Sequence, residues 1–86
     1  MSRLDKQKSR LKSIPKDYTY SEAKSLLSQI GYQEFTKGKT SGSRVKFYRA
    51  SDQTVILLHK PHPSDIMSVA SVKDIVEQLN RTGDLS

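Results

Sequence analysis

The stretch "RVKFYRASDQTVILLH", residues 44–59, carries two strand patterns joined by turn-forming residues. In its first half Val45 and Phe47 alternate with Arg44, Lys46 and Tyr48, the period of a strand with one buried and one wet face. In its second half Val55 to Leu58 are apolar on both faces, which predicts the best-covered strand of the sheet. "ASDQ" between them is short and carries Asp52, so a tight antiparallel hairpin is the simplest connection.

Upstream of the hairpin, "YQEFTK" reads as a short first strand and "GKTSGS" as a longer, mobile loop. Before that strand, Thr19 and Glu22 have the spacing of a capping box, in which each side chain satisfies a free amide at a helix start. Ala23, Leu26, Leu27 and Ile30 follow at helical spacing as core positions, and Gly31 stands where a glycine ends a helix. Downstream, the prolines of "HKPHPSD" cannot donate ladder hydrogen bonds, so the sheet ends there. Ser68 then caps a last helix with an apolar stripe at Val72, Ile75, Val76 and Leu79 and Gly83 beyond its end. The order predicts an α+β fold, a two-layer α-β-β-β-α domain with both helices packed on one face of a three-stranded antiparallel sheet.

A chain of 86 residues has room for one modest core, burying only about 60 to 65% of its unfolded surface. With no cysteine, disulfide frameworks and thiolate metal sites are excluded. No apolar run approaches the roughly 18 residues of a membrane span, and "MSRLDKQKSR" lacks the apolar segment of a signal peptide, so a cytoplasmic protein with no membrane partner is expected. Residues 1–16 have only Leu4, Leu11 and Ile14 as large aliphatic residues, too sparse for a well-buried helix. They read as a flexible or weakly helical basic arm, with the folded domain over residues 17–86.

Charge is uneven along the chain. Residues 1–49 hold twelve of the fifteen Lys and Arg against four acids, whereas residues 50–86 hold three bases and five acids. Within the basic half, Lys37, Lys39, Arg44, Lys46 and Arg49 surround Gly42 and Ser43 with no acid among them. Glycine and serine let a backbone approach a phosphate closely while the cations supply the field, so the cluster points to a phosphate-bearing polyanion, nucleic acid first. Tyr48, on the same strand face as Arg44 and Lys46, has a ring able to stack on a base, and equally one able to sit half in the core. A basic surface kept for solubility also accounts for the charge alone.

The capped helix with "LLSQIGYQ", the "GSR" leading into "KFYR", the "HKPHP" and the closing amphipathic helix together resemble the HicA family of small toxins over roughly residues 18–85. The resemblance implies a fold like the double-stranded RNA-binding domain, an mRNA-cleaving activity and neutralisation by a HicB-like antitoxin protein. The family usually reads Gly-Ser-His at the start of the second strand, with that histidine catalytic. Here Gly42 and Ser43 match and Arg44 takes the histidine's place. A guanidinium stays protonated at neutral pH, so Arg44 cannot act as the general base, but it can hold a phosphate or stabilise the charge of a transition state.

His59 and His62 are then the candidates for proton transfer, since an imidazole titrates near neutral pH, and His62 falls where the family often has a histidine. Each is equally suited to a structural hydrogen bond. Their H-x-x-H spacing also fits metal ligation, against which stand the intervening proline and the lack of a helix to align them. The expectation is therefore an mRNA interferase using neither metal nor cofactor, with Arg44, His59 and His62 at the chemistry. Two alternatives remain open: a catalytically inactive RNA-binding module of the same fold, and a small basic protein-interaction domain.

Overall fold

The computed structural model describes residues 2–35, 44–61 and 64–85. Its elements are α1 (Arg3–Lys12), α2 (Tyr20–Gln29), β1 (Gln33–Phe35), β2 (Arg44–Arg49), β3 (Thr54–His59) and α3 (Val69–Thr82). The strands form one antiparallel sheet in the order β1-β2-β3. Val45, Phe47, Ile56 and Leu58 turn inward and share a core with Ala23, Leu26 and Leu27 of α2 and Val72, Ile75 and Leu79 of α3. The predicted α+β architecture is thus present, with the sheet's second face open. The loop expected over residues 38–43 lies outside the described residues.

Local chemistry accounts for where the elements begin and end. Thr19 Oγ1 accepts from the Glu22 amide while Glu22 Oε1 accepts from the Thr19 amide, completing the capping box at α2. At its other end the Tyr32 amide donates to Leu27 O at 2.9 Å and the Gly31 amide to Ser28 O at 3.2 Å, a Schellman closure with Gly31 at φ +100°. A Cβ added there would meet Arg49 Cδ at 3.1 Å. Gly31→Ala is accordingly expected to cost about 1 to 2 kcal/mol from the left-handed backbone alone, read as a lower urea midpoint with an unchanged slope. Ser68 caps α3 by accepting from the Ser71 amide, and Gly83 closes it at φ +83°.

The hairpin turn is short, as expected: Arg49 pairs with Thr54 across residues 50–53, and Gln53 takes the left-handed conformation. Beyond β3 the chain returns to the start of α2. Thr19 and Ile66 form an antiparallel bridge, and the Asp65 carboxylate accepts from the Ser21 amide and hydroxyl. Those bonds hold the Asp65 carboxyl below its ordinary range.

Two expectations are corrected. Residues 3–12, read as part of a flexible or weakly helical arm, form a regular helix whose Leu11 is fully buried in the common core. Polar clasps supply what the sparse apolar pattern lacks. The Arg10 guanidinium bonds Glu22 and Asp17 and lies over the Tyr18 ring, and Gln7 bonds Ser25 and Gln29 on α2. The third strand, expected to be the best covered, is more exposed than β2. Val55 and Leu57 are 40% and 51% exposed because the helices pack only on the Ile56 and Leu58 face.

Candidate functional site

The open face of the sheet is built by strand register. Alternation along β2 sends Arg44, Lys46 and Tyr48 outward, and along β3 it sends Val55, Leu57 and His59 outward. Pairing then sets Arg44 opposite His59, Lys46 opposite Leu57 and Tyr48 opposite Val55. On the other side of β2, Phe35 of β1 lies opposite Lys46 and Gln33 opposite Tyr48. Directly opposed side chains on neighbouring antiparallel strands leave the backbone about 5 Å apart. The Arg44 guanidinium and the exposed His59 imidazole can therefore reach one phosphate from adjacent strands.

His59 also lines a groove of about 330 Å³ between β3 and the first half of α3, together with Leu57, Leu58, Ala70, Ser71 and Asp74. At the rim of this groove the Gln78 amide acts as a substitute strand. Its Nε2 donates to Leu57 O at 2.9 Å and its Oε1 accepts from the Leu57 amide at 3.1 Å. The same Nε2 contacts Asp74 Oδ2 at 3.0 Å. A side chain thereby satisfies the outward backbone groups at Leu57, one way of protecting an edge strand from pairing with another chain.

Of the residues expected at the site, Arg44, Lys46, Tyr48 and His59 share the open face, with Tyr48 only half-buried. Arg49 does not. It has the phase of Val45 and Phe47, its side chain is 14% exposed, and its guanidinium is bonded to Asp52, Asp84 and Ile30 O. These bonds raise its already high pKa further and commit it to the fold rather than to a ligand. Lys37, Lys39, Gly42, Ser43 and His62 lie outside the described residues. Phe35, 45% exposed with the Lys46 ammonium 5.5 Å from its ring centroid, was missed by sequence reasoning, although in "YQEF" it is out of phase with the buried Tyr32. Among the described residues no group of three or more His, Asp or Glu side chains is placed to hold a metal ion, and no helix is long and apolar enough to cross a membrane.

The arrangement defines a small basic α+β domain whose helices cover one sheet face and whose other face offers an arginine, a lysine, aromatic rings and an imidazole to solvent. The family model of the HicA toxin of bacterial toxin-antitoxin systems matches residues 20–80, from the first turn of α2 into the last turn of α3. The chain belongs to the HicA toxin family, and a cognate antitoxin is the partner that membership implies. Comparison with curated proteins and with solved structures gives no match.

Proposed function

We propose that this toxin binds mRNA on the open face of its sheet, cleaves it without a metal, and is neutralised by a HicB-like antitoxin. The observation that carries the reading is the pairing of Arg44 with His59 on that face, within a domain of the HicA family. An RNA 2′-hydroxyl loses its proton to a His59 nitrogen, its oxygen attacks the adjacent phosphorus, and the bond from phosphorus to the 5′ oxygen breaks. The leaving oxygen takes a proton from a second donor, for which His62 is the remaining imidazole of the sequence, giving a 2′,3′-cyclic phosphate and a 5′-hydroxyl. Arg44, always charged, stabilises the oxygens on which negative charge gathers, and Lys46 holds a neighbouring phosphate. By the resemblance, Arg44 stands at a histidine position, which favours a binding-only module as the second reading.

The test uses the isolated chain with a defined RNA and a chelator present. Cleavage of the parent's substrate, together with binding that weakens steeply with salt, is the expected result. Replacing Arg44 and Lys46 together with alanine is expected to weaken binding and to flatten the salt dependence by roughly 1.4 log units per log unit of salt, about 0.7 for each lost single-strand phosphate contact. Unchanged affinity and slope overturn the RNA reading, and tight binding without cleavage selects the binding-only module.

A further inference from the structure

The geometry points to a single-stranded RNA segment as the occupant of the open sheet face, with one unstacked base held in the hollow between Phe35, Lys46 and Tyr48. This rests on the RNA reading above and adds to it the strandedness of the substrate and a base subsite. The hollow measures about 150 Å³, about half of the ~300 Å³ at which pockets for drug-sized ligands begin. It suits one planar ring system rather than a larger molecule.

Register explains why these rings can share a base. Phe35 pairs with Lys46, so Tyr48 lies one step along β2 on the diagonal from Phe35. Diagonal neighbours on adjacent strands stand roughly 7 to 8 Å apart, and a planar ring contacting an aromatic surface on each side needs about 7 Å, twice the usual carbon–carbon contact of about 3.5 Å. Lys46 presently rests its ammonium over the Phe35 ring. Such a contact at an exposed site is weak, so the ammonium is readily given up to the phosphate flanking a bound base. Arg44 continues the cationic line along the same strand toward His59. A face of apolar rings edged by cations complements a strand of bases on a phosphate backbone. A duplex does not fit this chemistry, because its bases are stacked on one another and offer no free face to a side chain.

The test measures the affinity of the isolated chain for an uncleavable 2′-O-methyl oligoribonucleotide of about 10 nucleotides, a length within the usual single-strand site size, and for the same strand annealed to its complement. Phe35→Ala and Tyr48→Ala are each expected to weaken single-strand binding about tenfold while leaving the salt slope and the duplex affinity unchanged. Phe35→Tyr and Tyr48→Phe, which keep a ring, retain binding, whereas Phe35→Leu, which keeps apolar bulk without a ring, does not. Unfolding curves matching the parent show that the variants are folded. Single-strand affinity unaffected by either alanine overturns the subsite, as does an equal loss on the duplex, or a loss confined to binding of the antitoxin. A parent that binds neither oligomer overturns the RNA reading itself.

Discussion

Arg49→Ala is expected to destabilise the fold by about 2 kcal/mol, somewhat less than the ~3 to 5 kcal/mol for stripping one partner from a fully buried ion pair, because part of the network reaches water. Arg49 Nη1 donates to Asp84 Oδ1 at 2.8 Å and to Ile30 O at 3.0 Å, and Nε and Nη2 bond both oxygens of Asp52. Its guanidinium also lies 4.6 Å from the Tyr32 ring centroid. One side chain therefore ties together the end of β2, the hairpin turn, the close of α2 and the segment after α3. Removing it deprives the Asp84 carboxylate, only 15% exposed, of its one cation among the described residues and leaves it the hydroxyls of Thr82 and Tyr32 as donors. In a domain of this size such a loss lowers the melting temperature by roughly 10 °C, measurable by circular dichroism.

The same variant separates electrostatics from packing through pH. Burial pushes the Asp84 carboxyl up, but the bonds from Arg49, Thr82 and Tyr32 outweigh it and hold it below its ordinary value. The bonds from Arg49 and then Thr54 hold Asp52 well below the usual carboxylate range. A carboxyl whose folded pKa is depressed contributes its full stability above the unfolded value near 3.9 and loses it as pH falls through the folded value. The parent should therefore lose stability below about pH 4 more steeply than Arg49→Ala. The two stability curves should converge in acid, and a constant gap between them down to pH 2 would assign the whole effect to packing.

The second large effect is on chemistry. His59→Ala is expected to lower the rate of RNA cleavage about a hundredfold or more, the usual contribution of a positioned acid or base, with RNA affinity nearly intact. Arg44→Ala should also slow cleavage, with Arg44→Lys retaining part of the rate because a charge remains beside the phosphate. Single-turnover cleavage in chelator by the parent and by His59→Ala, His62→Ala and the Arg44 variants resolves the roles. Full cleavage by both histidine variants would remove the imidazole mechanism. Gain of activity in Arg44→His would show that the scaffold accommodates a catalytic imidazole at this position, since Arg44 already projects from the exposed face opposite His59.

Much of the fold was legible because it is dictated by neighbours in sequence. The capping box of Thr19 and Glu22, the left-handed Gly31, the alternation of Val45 and Phe47 and the stripe at Val72, Ile75 and Leu79 each depend on residues a few positions apart. Part of the candidate site's geometry was legible for the same reason: Arg44, Lys46 and Tyr48 share a phase, so one strand suffices to place them on one face. Arg49 was misread although its phase with Val45 and Phe47 was visible, because five cations in a row of basic residues look alike until partners are seen.

Where the chain alone was insufficient, the deciding partner lies far away in sequence. That α1 is held in place depends on Leu11 meeting a core made by distant elements and on Arg10 finding Glu22. That Val55 and Leu57 stay exposed follows from the helices covering a single sheet face, which the order of elements predicts but the strand's own apolar residues do not encode. Amino-acid order by itself determined the elements, their caps and the surplus of positive charge in the first half, since propensity, hydrogen bonding and charge act locally. Tertiary structure alone decided that Arg44 faces His59 and that Phe35 joins Lys46 and Tyr48 around one hollow, because strand register brings together side chains that no spacing along the chain relates.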